Sequence, residues 1–520
     1  MLETSKPAKR LRPHKLKVGM LFYEPLFLFI FAPAVYLLYL FFGAHRRPRA
    51  IILLIASVVF YGWSEPAFIF VVFASVALDL LVAQKVAAQA AVAEELPGEE
   101  PPGGDVAVIA RVDRRLRRDA DSQARRWLAL GVAGNLAILV YYKYTGFLAT
   151  NLDALLKAFT LPGIHIPEIA LPIGVSFIVF EKITYLVDVY RGVTAPARGP
   201  LLYGLYVFFF PKLLAGPIIK YHDIAGQLET CPHADLDDFV NGFSRFMLGV
   251  VKKLLIADVM AAGADMVFAR DAASLGFGHA WAGVGFFTLQ IYFDFSGYSD
   301  MAIGLARMFG FRLLENFNMP YIATSITDFW RRWHMSLTGW IREYLYFPLG
   351  GNRRGEARTY LNLWICFFAS GVWHGAAWPY IFWGAYNGVF LILDRLFLLE
   401  RLKRLPDWLA NVATMLVVMV GWTVFRAASL AQAGDFLSLM ARPWATGAAP
   451  FEIPQQYALM AFVGAGVCVM QRIGVAQGID WLALARRHAF LVNSALALLF
   501  LAALAKGLAE PFKPFIYFRF

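Results

Sequence analysis

The chain has 520 residues, of which 59% are hydrophobic and only 16% charged, and it carries a formal charge of +11. That composition excludes a soluble enzyme and describes a polytopic membrane protein. The basic excess does not argue for nucleic acid, because the arginines sit in short segments between apolar runs, the pattern that orients membrane proteins against an anionic cytoplasmic leaflet.

A membrane span needs about 20 apolar residues, so the chain has room for roughly eleven to thirteen spans or half-spans and for no separate soluble domain. Cys231, Cys366 and Cys468 are far apart, with no CxxC and no histidine spacing suited to zinc, so neither a disulfide framework nor a bound metal is expected. Residues 1–19 form a basic extension ahead of a first span, Leu21 to Phe42, which is too long for a cleaved signal and has no small-residue cleavage pattern after it. HRRPR (His45 to Arg49) is basic as well, so both flanks of that span claim the cytoplasm. A start at Met20, with the new N-terminus outside, resolves the conflict. Residues 20–520 then form a single transmembrane domain.

Residues 50–84 read as a helical hairpin broken near Gly62 and Ser64 to Pro66. The composition changes at about 85–126, a cytoplasmic insert whose Pro/Gly/Glu part is expected to be disordered and whose arginine-rich part is expected to form a short surface helix. A span from Trp127 to about Leu148 follows. In Leu171 to Gly192, Glu181, Tyr185 and Asp188 share one helical face, a polar stripe that serves either a packing network or chemistry. Between Phe208 and Ile224, Pro211, Gly216 and Pro217 break any helix, and broken backbone at membrane depth requires a protein interior or a cavity. Residues 239–262 form a span containing Lys252 and Lys253. The stretch Trp281 to Phe311 is apolar with two acids, Asp294 and Asp300, and Arg307 falls on the face of Asp300 as its expected ion-pair partner.

Residues 328–383 hold two histidines, His334 and His374, in segments that otherwise read as membrane helix. Taken alone, each is either a core histidine bonded to a carbonyl or a working residue. From Asp328 to Phe347 the spacing predicts one helix, with Trp330, Trp333, His334, Leu337, Ile341 and Tyr344 on an aromatic and aliphatic face and Arg331, Arg332 and Arg342 off it. LGGNRRG, with Arg353 and Arg354, lacks the ending of a phosphate-binding P-loop and reads as a basic turn. In GVWHGAAWP, Gly371 and Gly375 let another backbone or a slender substrate approach His374, beside Trp373. Cys366 lies about 12 Å from it along a helix, and Ser370 is better placed to bond its own helix, so no nucleophilic triad is legible. An imidazole acting as general base on a hydroxyl is the simpler chemistry. Spans follow at about 379–398, 408–427, 456–471 and 488–508. The chain ends in PFKPFIYFRF, by composition an interfacial anchor that includes Tyr517.

Six blocks, in order, resemble the membrane-bound O-acyltransferase family, in the bacterial branch that acetylates alginate and D-alanylates teichoic acid. They are LPIGVSFIVFEKITYLVDVYRG, FFFPKLLAGPIIKYHDI, YFDFSGYSDMAIGLARMFGF, the stretch from NFNMPYIATSITDFWRRWH to LGGNRRG, GVWHGAAWPYIFWGAYNG and GWTVFRAASL. The resemblance implies an all-α polytopic fold in which a ring of tilted transmembrane and re-entrant helices surrounds a thin central floor pierced by a tunnel. It places the family's WHG histidine on His374 and the second, RRWH, histidine on His334. Trp330, Trp333, Tyr344, Trp373, Asn316, Asn318, Asp294 and Ser296 become candidates for lining the tunnel or touching substrate. Arg331, Arg332, Arg353 and Arg354 become candidates for docking donor phosphates or an acyl carrier.

The implied reaction moves an acetyl group from a cytoplasmic thioester, acetyl-CoA or a similar co-substrate, toward hydroxyls of an exported polysaccharide such as alginate. It needs no bound cofactor. The expected setting is the bacterial inner membrane, among lipids and with a periplasmic or membrane-anchored acetyltransferase partner. The tail resembles a C-terminal motif in which a tyrosine, here Tyr517, carries the acyl group. On this reading His374 deprotonates an acceptor hydroxyl, either Tyr517 or a partner residue, and His334 orients the thioester or stabilises the developing oxyanion, so both imidazoles should line one passage. D-alanyl transfer from a carrier to teichoic acid is the neighbouring alternative. A polysaccharide or lipid-linked sugar flippase is the alternative of another class, but it leaves the histidine motifs without a role.

Overall fold

In the computed structural model, residues 20–43, 45–95, 106–167, 169–447, 452–510 and 513–518 are described, and among them there is helix and no strand. The basic segment 1–19 and the Pro/Gly-rich stretch 96–105 lie outside the described residues. Met20, Leu21 and Phe22 are buried, ahead of a π-helical turn Phe27–Phe31 and α1 (Ala32–Phe41), so the first apolar run is helical only in its second part. The hairpin forms as expected from α2 (Arg46–Ser64) and α3 (Phe68–Glu95), which the bend at Glu65 and Pro66 separates.

The surface helix and the span that follows it are not separate. One 34-residue helix, α4 (Val106–Leu139), carries both and continues through a π turn, Val140–Tyr144, into α5 (Thr145–Ala158). No glycine or proline stands between Val106 and Gly131 to stop it, and Arg, Ala, Leu and Gln all favour helix. Then come α6 (Val175–Tyr190), α7 (Pro200–Phe208), a buried irregular run and α8 (Tyr221–Thr230). In the irregular run, Phe210 N donates to Ser57 Oγ at 3.0 Å and Ile218 N to Ser336 Oγ at 3.0 Å, so broken backbone inside the protein is satisfied by side chains.

The second half begins with α9 (Leu236–Val251), a π turn (Lys252–Ala257), α10 (Asp258–Phe268) and the long α11 (Phe277–Met308). α9 and α11 meet backbone to backbone: a Cβ on Gly249 would lie 2.5 Å from Gly297 O, and one on Gly242 2.6 Å from Gly304 O. That approach carries Lys252 and Lys253 onto the acids of α11. The expected Asp300–Arg307 pair does not form. Asp300 takes Arg245 of α9 (2.9 Å) and Lys252 of the π turn that follows it (2.6 Å), while Arg307 faces Asp238 (3.5 Å). Sharing a helical face was not enough, because the neighbouring helix supplies closer cations.

The expected helix over 328–347 is also broken. Its pieces are α12 (Ile326–Arg332), α13 (Met335–Ile341) and a π turn (Arg342–Tyr346). The rest is α14 (Glu356–His374), α15 (Trp378–Leu393), α16 (Leu399–Leu402), α17 (Asp407–Arg426), α18 (Leu430–Met440), α19 (Gln455–Ala476), α20 (Trp481–Arg487) and α21 (Ala489–Ala509). A 3₁₀ turn, Ile516–Phe518, lies in the tail.

Among the described residues five helices are long and apolar enough to cross a membrane: Phe68–Ala91, Trp378–Leu402, Asp407–Arg426, Gln455–Ala476 and Ala489–Ala509. The other expected spans are shorter, carry buried charge or are broken. The apolar interior falls into two cores. α1–α4, α6–α9, the C-terminal part of α11 and α13 build one, and α10, the N-terminal part of α11, α12, α15, α17 and α18 build the other. Tyr517 packs against both, at their seam.

Candidate active site

His334 stands between α12 and α13 with left-handed backbone (φ 44°, ψ 53°), a conformation that costs a non-glycine residue about 1–3 kcal/mol. Tertiary bonds hold it there. Met335 N donates to Asn316 O at 3.0 Å, and Asn318 N to Arg332 O at 2.9 Å, pinning the chain on both sides of the break to the loop after α11. The Asn316 side chain then fixes the ring. Its Oδ1 accepts from Ser336 N (3.3 Å) and Ser336 Oγ (2.9 Å), which identifies that atom as the oxygen, and lies 3.1 Å from His334 Nδ1. An oxygen cannot donate, so His334 Nδ1 carries the hydrogen and Nε2 the lone pair. Nε2 is buried, with no hydrogen-bond partner among the described residues.

His374 is the last residue of α14. Its ring is enclosed by Trp373 (4.9 Å between centroids), Trp383 (5.1 Å) and Phe425 (5.4 Å), and Nδ1 is buried without a partner among the described residues. The flanking glycines admit protein: a Cβ on Gly371 would lie 2.8 Å from Gly384 Cα of α15, and one on Gly375 would strike the Tyr380 ring at 2.2 Å. Lys143, in the π turn after α4, donates to the carbonyls of Trp373 (2.6 Å) and His374 (3.0 Å) and to Ser176 Oγ (3.3 Å). It closes the C-terminal end of α14, where an ammonium meets orphan carbonyls and the negative end of the helix dipole.

Tyr517 packs close to both imidazoles. Its ring centroid is 6.1 Å from His334 and 5.9 Å from His374, and Phe295 (4.2 Å) and Phe177 (5.8 Å) hold it from the sides. The tail is therefore threaded into the protein and is no interfacial anchor. A cavity of about 40 Å³, room for about one water, touches His374, Tyr517, Lys143, Ile173, Ser176 and Leu214. A second, of about 470 Å³, is lined by Ser296, Ser299, Asp300, Asn316, Asn318 and Lys252 along the C-terminal half of α11.

The two cavities lie toward opposite ends of the protein. Tyr190, at the end of α6, bonds Asp121 and Arg125 in the arginine-rich part of α4 (both 3.0 Å), whereas the small cavity lies at the start of α6. The end of α11 is tied to the arginine-rich end through Arg312, Gln227 on α8, and the His222–Asp188 contact at 2.8 Å. Among the described residues, neither of these cavities is the expected open passage lined by both histidines. His334 and His374 both pack against Trp373 and Tyr517; His374 borders the smaller of these two cavities, and His334 lines neither of them.

The other candidate residues divide. Trp373 is part of the enclosure, 6.2 Å from His334, while Asn316, Asn318 and Ser296 line the larger cavity. Trp330 and Trp333 are packing residues against Trp383 and Trp422. Tyr344 lies away from the histidines and donates to Asp188 at 2.7 Å, since the break at His334 takes it off the expected face. Asp294 borders neither cavity and binds Lys253 and the tail. Arg332 pairs with Asp328, and Arg331, Arg353 and Arg354 are exposed. Lys143, Ser336 and Phe295 were not anticipated. A lone lysine in the apolar run VYYKY was the available signal for the first of them.

A buried pair of imidazoles around a hydroxyl, inside a multi-pass membrane protein, is equipment for acid–base group transfer. A model of the membrane-bound O-acyltransferase family matches residues 199–431. The chain is 38% identical to the probable alginate O-acetylase AlgI of Pseudomonas putida, over 96% of this chain and 100% of that one. It is 33% identical to the peptidoglycan O-acetyltransferase of Helicobacter pylori, over 80% and 78% of the two chains. With the teichoic acid D-alanyltransferase of Bacillus subtilis it shares 28% identity over 46% of its length and 62% of the relative's. The chain belongs to the membrane-bound O-acyltransferase family and is an O-acyltransferase, which removes the flippase alternative.

The Asn316 contacts give a direct prediction. In Asn316→Ala, His334 Nδ1 and Ser336 lose their acceptor. Acyl-transfer turnover should fall at least about tenfold, part of the ~10²–10⁴-fold that a positioned acid–base group supplies, and stability by about 1–3 kcal/mol. Turnover measured beside thermal melts in the same detergent separates the two effects.

Proposed function

We propose that this protein is a bacterial inner-membrane O-acetyltransferase that takes acetyl groups from a cytoplasmic thioester, acetyl-CoA being the simplest, and passes them through Tyr517 toward hydroxyls of an exported polysaccharide. Alginate-like polymers are the leading acceptors, because the probable alginate O-acetylases of Pseudomonas putida and Azotobacter vinelandii align over 96% of the chain and the D-alanyltransferase relatives over about half. The observation that carries the reading is the Tyr517 ring lying about 6 Å from each of two buried imidazoles, with separate cavities toward opposite ends. The positive-inside tendency puts the arginine-rich end of α4, and with it the larger cavity, in the cytoplasm.

The donor enters from that side. His334 Nε2 accepts the phenolic proton as Tyr517 oxygen attacks the thioester carbonyl; the C–S bond breaks, and the proton leaves with the thiolate. The products are acetyl-Tyr517 and free thiol. On the other side His374 takes the proton of an acceptor hydroxyl, whose oxygen attacks the tyrosyl ester. The C–O bond to Tyr517 breaks, and His374 returns the proton to the phenolate. The second acceptor is a polymer hydroxyl or a residue of a periplasmic or membrane-anchored acetyltransferase partner. The aromatic rings around the tyrosine limit water at the ester to what the small cavity admits.

Incubation of the purified protein with acetyl-CoA, followed by mass spectrometry of the C-terminal peptide, tests this. An acetyl ester on Tyr517 is expected, with transfer reduced to background in Tyr517→Phe. Unmodified Tyr517 together with full turnover in the Phe variant would overturn the relay.

A further inference from the structure

Asp294 sits in the middle of α11 at 2% exposure, yet it touches neither cavity. One carboxylate oxygen accepts from Lys253 Nζ at 2.7 Å, and the other accepts the backbone N–H of Ile516, the residue before Tyr517, at 2.6 Å. Lys253 extends the grip. Its ammonium also pairs with Asp258 (2.9 Å), lies 3.5 Å from Pro514 O and sits 4.5 Å above the Phe515 ring.

The tail contributes its own polar contacts. Lys513 Nζ donates to Asp258 O at 3.4 Å while also pairing with Glu510, and Lys513 O accepts from Tyr23 at 2.9 Å. In the core of this cluster two carboxyl groups share one ammonium, and the Ile516 amide supplies Asp294 with a donor that Lys253 alone does not. Sequence proximity has no part in it, since Asp294 and Ile516 are 222 positions apart.

We infer that Asp294, oriented by Lys253, is the positioning residue of the relay: it anchors the backbone beside Tyr517, so that one seated tail presents the phenol to both histidines. The inference rests on the relay reading for its catalytic consequence. The anchoring itself does not depend on acyl chemistry. A tail that left its seat on every turnover would have to abandon a charge-assisted bond and uncover buried carboxylates twice per cycle. A phenol turning on a fixed backbone abandons neither, and the centroid distances to the two imidazoles differ by only 0.2 Å (6.1 minus 5.9).

Hydrogen–deuterium exchange of the full-length protein in detergent, read on the peptide containing residues 513–518, tests the anchor without any substrate. Asp294→Ala should speed exchange there by about tenfold, the loss of one charge-assisted bond, with α14 and α15 unchanged. Asp294→Asn keeps an oxygen acceptor and should fall between the two. In acetyl-CoA assays Asp294→Ala should lower kcat and leave KM for the donor near the wild-type value, with partial recovery in the Asn variant. Tail exchange as slow in Asp294→Ala as in wild type would overturn the inference, as would acceleration spread evenly over α14 and α15. Should the Ala variant not survive purification, the Asn variant decides: tail exchange unaltered alongside normal KM and kcat overturns the anchor, and a faster tail supports it. A fully active Tyr517→Phe would instead overturn the relay and leave the exchange result standing.

Discussion

His374→Ala should abolish acyl transfer to within background, a loss of about 10²–10⁴-fold or more, while leaving a folded, membrane-extractable protein. The asymmetry follows from the ring's surroundings. Deleting a large buried side chain leaves a cavity among Trp373, Trp383 and Phe425, at a cost of about 2–4 kcal/mol. The same deletion removes a buried nitrogen without a hydrogen-bond partner, whose desolvation had already cost about 1–3 kcal/mol. The two largely offset, so the melting midpoint should move by only a few degrees. Lys143 bonds the main-chain carbonyl of residue 374, which alanine retains, so the end of α14 stays closed. Thioester consumption and acetyl transfer, with melts of both proteins in one detergent, check both halves. Wild-type turnover in the variant would remove His374 from the chemistry. If Tyr517 is the relay, His374→Ala should still load it with acetyl from the donor side and fail to discharge it, so the acetylated C-terminal peptide should accumulate.

What was legible in the sequence was whatever one helix decides alone. The last four spans lie within a few residues of their expected limits, because each is a long apolar run bounded by Pro, Gly or charge. The histidines were legible as expensive residues in apolar surroundings. What one helix does not decide was misread. Nothing local ends the helix at Trp333, where the sequence keeps its apolar period; the break comes from the loop at Asn316 and Asn318, which takes the backbone bonds on either side of His334. Tyr344 left the expected stripe for the same reason. Arg307 and Asp300 share a face of α11, but the glycine-lined contact with α9 delivers Arg245 and Lys252 to that acid first.

Tyr517 shows the limit most directly. An aromatic, basic tail has the composition of an interfacial anchor, and only the buried Asp294 and Lys253, more than 200 positions upstream, give it a seat inside. The polar stripe of Glu181 and Asp188 divided: Glu181 is ion-paired with Lys212 in the interior, whereas Asp188, bonded to His222 and Tyr344, lines a cavity of about 530 Å³. Those contacts brace α6, whose first turns border the small cavity and carry Phe177 to Tyr517.

The other brace of α6 should be the most sensitive point of the fold. Lys182, at 1% exposure, bonds Asn135 Oδ1 at 2.6 Å and Asp79 at 3.2 Å; Asp79, at 0%, also accepts from Asn135 (2.8 Å) and Tyr203 (2.7 Å). Four helices, α3, α4, α6 and α7, meet at this network. Lys182→Met keeps the length of the side chain and removes the charge, leaving Asp79 buried without its cation, and should destabilise the protein by about 3–5 kcal/mol. Adding Asp79→Asn removes the stranded charge and should return more than half of that, a coupling that a double-mutant cycle measures from four melts. The exposed Lys157–Asp153 pair, 2.6 Å apart but two-thirds exposed at the lysine, should change stability by under about 1 kcal/mol when broken. Comparable losses at the two sites would mean that Asp79 is already satisfied by Asn135 and Tyr203. A large loss at Lys182 alone, with acetyl transfer falling in step with the folded fraction, would assign this pair to holding α6 and not to the chemistry at its far end.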